Sequence, residues 1–172
     1  PERVYLEEIG VATAGADEFS TSRSPHWNVS GQDTEVIEIT GLAGGSSTAS
    51  AAVTTPVNYI DVVSAAGFDR NDYIVIDSGG GGQEIQSVIG DRLWFSSPYT
   101  PGYAPGPVND HALGVSVDEA TFNEFTEGAE YTITEATGTI TEIKGAWTDD
   151  AEIVVSYTVD WVIPNTYPLA LN

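Results

Sequence analysis

The sequence predicts an all-β protein: a β-sandwich or barrel of short antiparallel strands, with an inserted small β-module and at most one short helix. Three observations carry this prediction. Short apolar or alternating runs recur along the chain, and clusters of Gly, Pro, Asn and Asp separate them. Hydrophobic residues make up 41% of the 172 residues, enough to form a core. The last third alternates apolar and polar side chains, a pattern typical of half-buried strands.

The N-terminal part predicts two strands and a linker. Residues 4–6 (Val-Tyr-Leu) open the first strand. Residues 35–39 (Glu-Val-Ile-Glu-Ile) alternate acidic and apolar side chains, so we expect one face to be buried and the other to be solvated. Residues 41–55 are rich in Gly, Ser, Thr and Ala, which is typical of a flexible loop, and residues 46–55 form the predicted linker.

The middle of the chain predicts four more strands, at residues 59–63, 73–76, 84–88 and 93–95. The second of these is apolar on both faces, which favours a central position in a sheet. A turn at residues 65–72 precedes it and a glycine loop at residues 78–82 follows it. The last two strands are expected to be joined across Gly90 and Asp91.

The C-terminal part gives the clearest pattern. Residues 131–134 and 139–143 flank a Gly-containing turn, which predicts a hairpin. In the final strand one face holds Ile153, Val155, Tyr157 and Val159, and the other holds Val154, Ser156 and Thr158. The helix candidate is residues 118–125, with Ser116 as its N-cap, Glu119 at N3 and Gly128 beyond its end.

Two stretches resemble virion proteins of tailed double-stranded DNA viruses. Residues 127–134 (EGAEYTIT), 136–141 (ATGTIT) and 149–158 (DDAEIVVSYT) resemble the G-x-x-Y-T, T-G-x-I-T and V-x-V-S-Y ending of their β-sandwich proteins. Residues 8–25 look like the matching first strands. Residues 66–77, followed by residues 84–88, residues 93–98 and His111, resemble a small inserted β-module. Its pattern is A-x-G-F-x-x-G-D-x-V-x-I, although Asn71 stands where that pattern has Gly.

The resemblance implies a domain organisation and a function. Residues 1–45 and 112–172 would form the main β-sandwich, and residues 56–111 the inserted module. The implied function is a virion structural protein, first of all a tail-tube subunit whose stacked rings conduct DNA. A capsid decoration or turret protein and a head–tail connector are alternatives within this class. The implied partners are copies of the chain, in a homo-oligomer, and other virion proteins, assembled in the host cytoplasm.

The charge indicates the solvent in which the protein works. The chain has 26 acidic and 5 basic side chains, a formal net charge of -21. Such a domain repels itself unless salt is abundant, and at about 1 M salt the Debye length falls to about 3 Å. Together with the resemblance, this predicts a virus of a halophilic archaeon. Without clustered Lys and Arg we expect no specific nucleic-acid binding, and without an apolar run of about 20 residues no membrane contact.

The reactive residue types predict neither an enzyme nor a cofactor or metal site. The sequence has no Cys, and its histidines are His26 and His111, without the spacing of a metal-binding pair. It contains no G-x-S-x-G nucleophile motif. Asp149 and Asp150 are interpreted as a solvated acidic turn.

Two aromatic segments supply the candidate subunit contacts. Tyr99 and Tyr103 lie in a Pro-rich stretch, and Trp161, Tyr167 and Leu169 lie in an apolar C-terminal tail. Each segment is equally compatible with packing on its own domain. A function of another class, a receptor- or carbohydrate-binding module of a fibre, would require tryptophans exposed as stacking platforms. The candidates for that role are Trp94, Trp147 and Trp161.

Overall fold

The structure is a computed structural model, which describes residues 2–15, 17–26, 34–55, 57, 59–69, 72–87, 93–94 and 109–159. Within these residues the chain forms strands and turns and no helix. The strands are β1 (Glu2–Val11), β2 (Glu18–Ser20), β3 (Glu35–Thr48), β4 (Tyr59–Ile60), β5 (Tyr73–Ile76), β6 (Glu84–Ser87), β7 (Leu93–Trp94), β8 (Ser116–Phe125), β9 (Tyr131–Thr134), β10 (Thr139–Glu142) and β11 (Glu152–Val159).

Six strands form one antiparallel sheet in the order β1-β11-β3-β8-β5-β6. Its two end strands, β1 and β6, approach each other without a hydrogen-bonded ladder, so the sheet curls into a nearly closed barrel. We call the gap between β1 and β6 the seam. The predicted all-β class is therefore confirmed, with the barrel as its principal architecture.

Apolar side chains fill the barrel. Its interior cluster comes from five strands and consists of Ile37, Ile39, Val75, Ile85, Ala120 and Val154. Each of these side chains is at most 7% exposed. A fully buried Ile or Val contributes about 1.5–3 kcal/mol relative to an exposed one, so this cluster is a main source of the barrel's stability.

Two further cores lie on the outside of the barrel. The larger outer core includes Tyr131, Ile140, Trp147 and Tyr157. The three-stranded sheet β2-β10-β9 contributes side chains to this core. The smaller one lies on the β5–β8 side and includes Ile60 of β4. Strand β11 serves two cores at once: Ile153, Val155, Tyr157 and Val159 enter the outer core, and Val154 enters the barrel. The predicted division of these side chains between two faces is thus confirmed.

Several predicted elements occur where the sequence places them. Strands β9 and β10 form the hairpin, with Ile133 opposite Ile140. Strand β5 pairs with β8 on one side and β6 on the other, as its two apolar faces predict. The glycine loop is the turn that joins β5 to β6, closed by the Gly80 N–H donating to Asp77 O over 2.7 Å.

The helix predicted over residues 118–125 is wrong, because this stretch is most of strand β8. It pairs with β3 on one side and β5 on the other, so two ladders fix its backbone. The apparent capping pair is used otherwise, since Glu119 Oε2 accepts the Gly45 N–H at 2.6 Å. Long-range pairing and the β-favouring Thr121 and Phe122 outweigh the local capping signal.

The flexible loop predicted over residues 41–55 is also wrong for most of its length. Strand β3 continues to Thr48, and register shifts in its ladder with β8 absorb the glycines. Ala49 and Val53 are buried in the smaller outer core. Gly45 allows a close approach, because a Cβ there would lie 2.6 Å from the Gly67 carbonyl oxygen. The glycine signal thus marks backbone packing in this segment.

The sheet continues across the predicted domain boundary. Strands β5 and β6, from the predicted module of residues 56–111, belong to the same sheet as β1, β3, β8 and β11. The other two described strands of this predicted module, β4 and β7, pair with each other in a separate sheet. The two strands expected to be neighbours across Gly90 and Asp91 have different partners, since β6 pairs with β5 and β7 with β4.

Candidate functional site

The predicted subunit-contact residues lie outside the described part of the chain. They are Tyr99, Tyr103, Trp161, Tyr167 and Leu169, and their role stays a prediction. The same holds for the Trp94 side chain as a stacking platform. Within the described residues, the candidate functional features are the barrel, its buried polar groups and its seam.

Trp147 is not a surface stacking platform. Its side chain is 5% exposed and lies between Phe19 and Phe125, with ring centroids 5.7 and 6.0 Å away and nearly parallel planes. Its backbone N–H donates to Glu142 Oε1 at 2.9 Å. Trp147 therefore anchors the loop between β10 and β11 in the larger outer core.

His26 is buried and serves the fold. Its Nε2 lies 2.7 Å from Thr21 Oγ1, and its ring stacks on Tyr157 with centroids 4.2 Å apart. Its Nδ1 lies 3.4 Å from Thr34 Oγ1. Burial lowers the pKa of His26, because the cation would lose hydration that these neutral partners do not replace.

Tyr157 is held next to this histidine by a carboxylate of β1. Its hydroxyl donates to Glu7 Oε2 at 2.5 Å, while Glu7 Oε1 accepts the Ser22 N–H at 2.7 Å. Burial, together with the bond to Glu7, raises the pKa of Tyr157 to about 12. The phenol is therefore a fixed donor at neutral pH, and the cluster ties β1, the residues after β2, and β11 together.

We expect the His26 cluster to make the protein acid-sensitive. The folded pKa of His26 lies below the ordinary value of 6.5, so the unfolded chain binds the proton more readily. Stability is then complete above about pH 6.5 and falls as the pH drops toward the folded pKa, by up to about 1.4 kcal/mol per pH unit. Urea unfolding at about pH 7 and about pH 5 should show a smaller pH effect in His26→Gln than in wild type. Equal pH effects in the two proteins would contradict the assignment.

Among the described side chains, three glutamates are buried, and each holds a loop against a strand. Glu38 of β3, 1% exposed, accepts bonds from Asn123 Nδ2 and Thr148 N, each at 2.7 Å, and from Thr148 Oγ1 at 2.9 Å. The expected solvation of the acidic face of residues 35–39 is therefore wrong at Glu38. The Thr148 loop covers this carboxylate and supplies the donors that replace water.

The other two glutamates repeat this arrangement. Glu142 of β10 accepts the backbone N–H of Trp147 and, at 3.1 Å, that of Asp17. Glu84 of β6 lies 2.8 Å from His111 Nε2 and accepts the Asn109 N–H at 3.4 Å. Both glutamates are 5% exposed and His111 is 4% exposed, so His111 is a structural partner.

Backbone amides are the recurring partners of the acidic side chains. In the described part of the chain, ten carboxylates accept a backbone N–H, and several of them stand in turns. They are Glu7, Asp17, Glu38, Asp72, Asp77, Glu84, Asp110, Glu119, Glu130 and Glu142. A hydrogen bond to a charged acceptor contributes about 1.5–3 kcal/mol, more than a neutral one. The acidity is therefore partly structural, beyond the solvated coat that the composition indicates.

The seam forms a groove of about 250 Å³. It is lined by Leu6, Glu7, Glu8, Gln83, Glu84, Ile85, Gln86 and Asn109. Gln83 spans the gap, since its Nε2 donates to Glu152 of β11 at 3.0 and 3.2 Å from the two carboxylate oxygens. Burial, a hydrogen bond to Glu152 and repulsion by Glu152 and Glu84 raise the pKa of Glu8 to about 8.

No family model, curated protein or solved structure matches the chain. Over the described ranges, no cluster of three or more His, Asp or Glu side chains is arranged to hold a metal ion. The same residues include no helix with the length and apolarity needed to span a membrane.

Proposed function

We propose that this chain is a structural subunit of the virion of a tailed double-stranded DNA virus that infects a halophilic archaeon. In this proposal copies of the chain form stacked rings, and the rings make up the tail tube that conducts the genome. Its partners are further copies of the chain and other virion proteins.

The observation that carries the proposal is where the resembling sequence lies in the fold. The C-terminal stretch that resembles virion β-sandwich proteins supplies β9, β10 and β11. Its two tyrosines, Tyr131 and Tyr157, are 2% and 0% exposed and share the larger outer core. The resembling residues therefore coincide with positions on which the fold of this chain depends, and this supports the proposal.

The packing of the barrel sets how a conduit would be built. Its interior is filled with Ile, Val and Ala side chains, so DNA has no path through a single subunit. A conduit would have to be the central opening of a ring of copies. A net charge of -21 per copy would then repel phosphate along the opening and let the genome slide.

Two exposed apolar side chains are candidates for the contact between copies. Val63 is 73% exposed and Leu113 is 67% exposed. They lie on either side of the end of β3, since the Val63 N–H donates to Thr48 O and the Gly114 N–H donates to Ala49 O. Covering two such side chains with a second copy would stabilise a contact at this end of the subunit.

Electron microscopy of the purified protein tests the proposal. In about 2 M salt, where charge repulsion is screened, negative-stain images should show rings or tubes, and Leu113→Glu should reduce their number. Dialysis to low salt should disassemble the rings or tubes and reduce the far-UV circular dichroism signal of the β-structure. Monomers in high salt that associate with neither tails nor capsids would overturn the proposal. Binding to capsids alone would identify a decoration protein, and binding to glycans a fibre module.

A further inference from the structure

One end of the barrel opens into a cavity, which we call the mouth cavity. Strand β3 begins there and β8 ends there, with Val36 opposite Phe125 and Ile37 opposite Glu124 in their ladder. Mouths of β-barrels are frequent ligand sites, and a cavity smaller than about 300 Å³ suits a small ligand. The mouth cavity has a volume of about 180 Å³ and is lined by Glu35, Val36, Ile37, Tyr73, Glu124 and Phe125.

Two aromatic rings line the mouth cavity, and packing holds both in place. Tyr73, at the start of β5, packs against the interior cluster of the barrel. Phe122 contacts the Tyr73 ring edge-on, with the centroids 4.5 Å apart and the planes at 73°. Phe125, at the end of β8, stacks on the buried Trp147. The orientation of both lining rings is therefore set by contacts within the protein, before any ligand enters.

Two carboxylates stand at the rim of the mouth cavity. Glu124 lies opposite Ile37, and Glu35 lies two residues before Ile37, so both acids are on the face of the sheet that Ile37 turns toward the barrel. Both acids are exposed. Burial and repulsion by Glu124 and Glu35 raise the pKa of Tyr73, because an ionised phenol would lie near both charges. The described lining contains no Lys, Arg or His, so the cavity favours a cation.

The combination of aromatic rings and acids selects among ligands. An anion would be repelled, and a neutral apolar molecule would gain nothing from the two carboxylates. A sodium ion keeps its water shell and makes little use of the aromatic faces. A trimethylated ammonium group gains from both, because its charge is spread over methyl groups that contact aromatic faces directly. In molar salt the attraction of the rim acids is partly screened, so the rings are what distinguishes such a cation from sodium.

We propose that the mouth cavity binds a small free cation with a trimethylated ammonium group, of the choline type. Tyr73 and Phe125 contact the methyl groups, and Glu35 and Glu124 face the charge from the rim. A carboxylate or phosphate on the ligand itself would be repelled by these acids, which disfavours betaines and phosphocholine head groups. This inference is independent of the proposed virion function, because the residues that carry it belong to one subunit.

Titration of the full chain with choline chloride in about 2 M NaCl tests the proposal, since this salt screens the general attraction of cations to the acidic surface. Chemical shifts of the backbone amides report where the ligand binds, and we expect saturable changes at Ile37, Tyr73 and Glu124. The neutral isostere of choline, in which a tert-butyl group replaces the trimethylammonium group, should bind at least about tenfold more weakly. Glycine betaine and phosphocholine should bind at least about fivefold more weakly than choline.

Substitutions separate the contribution of the rings from that of the acids. Tyr73→Leu removes one aromatic face and should weaken choline binding at least about fivefold, whereas Tyr73→Phe keeps the ring and should bind within about twofold of wild type. Glu124→Gln removes an exposed charge at the rim and should weaken binding at least about threefold. Glu18→Gln removes the same charge from the exposed strand β2 and should leave the affinity unchanged.

Four results would each overturn the proposal. The absence of saturable changes around the mouth cavity would show that choline does not bind there. Equal affinity for choline and its neutral isostere would make the cavity an apolar pocket, and equal affinity for glycine betaine or phosphocholine would contradict the role of the rim acids. Equal weakening by Glu124→Gln and Glu18→Gln would reduce the effect to net charge. If Tyr73→Leu does not fold, the isostere and the two Gln variants decide by the same criteria.

Discussion

Replacing Glu38 by Ala should lower the free energy of unfolding by about 3 kcal/mol. The carboxylate is 1% exposed and accepts bonds from the Asn123 amide and from the backbone and hydroxyl of Thr148. Its removal leaves these donors without an acceptor beneath the Thr148 loop and creates a cavity. Urea unfolding in about 2 M salt, where the released repulsion is small, measures the loss.

Glu38→Gln keeps the volume of the side chain and changes its hydrogen-bonding groups, so it separates the contribution of the hydrogen bonds from that of the cavity. Its carbonyl oxygen can still accept two of the bonds, but its NH₂ group would face the Thr148 N–H, donor against donor. We expect a loss of about 1–2 kcal/mol and faster hydrogen exchange at the Thr148 amide. Glu18→Ala, an exposed acid on β2, serves as the charge control and should change stability by less than about 0.5 kcal/mol. A Glu38→Ala loss no larger than that of the control would refute the structural role of this acid.

Gly138→Ala should be the most damaging substitution in a turn, at about 4 kcal/mol. Gly138 has φ +67°, a conformation that side chains disfavour. An added Cβ would lie 2.2 Å from Thr21 Oγ1 and 3.0 Å from His26 Nε2. Both partners would have to move, and the Thr21–His26 bond that positions the ring on Tyr157 would break.

Gly145→Ala is the matched control for this experiment. Gly145 has the same φ of +67°, but a Cβ there meets nothing within 4 Å. It should therefore show the backbone cost alone, about 1 kcal/mol. The excess in Gly138→Ala, measured as the difference in urea midpoints, reports the close packing of the β9–β10 turn against His26. Equal losses in the two variants would show that this packing contributes nothing.

The sequence predicted the fold best where the pattern of burial is local. In β11 the side chains alternate between two cores, and in β9 and β10 a Gly-containing turn sets the register, so period and turn chemistry sufficed. The stretch that forms β8 was wrongly predicted to be a helix, because its capping signal is local whereas its strand partners are distant in sequence. Its partners in β3 and β5 lie more than 40 residues away in sequence, beyond the reach of any window.

The polar sites were harder to predict from the sequence. An acid flanked by Ile, such as Glu38, reads as the solvated side of an alternating strand unless it is known which loop covers it. The sequence did contain one clue to this buried acid: Glu38 lies within an apolar run, and the chain has few basic residues that could neutralise it. The neighbouring positions of Glu8 and Glu152 gave no signal either, because the pairing of β1 with β11 brings together residues from opposite ends of the sequence.

The bonds between carboxylates and backbone amides restrict how this protein could be redesigned for dilute buffer. Neutralising acidic residues at random to reduce self-repulsion would remove loop anchors along with solvated charges. Glu18, exposed on β2, and Asp149, exposed in a turn, can be neutralised with little structural cost. Glu38, Glu84 and Glu142 cannot, because each neutralisation leaves buried donors without an acceptor. A low-salt variant would therefore have to keep these buried acids and lose its charge elsewhere on the surface.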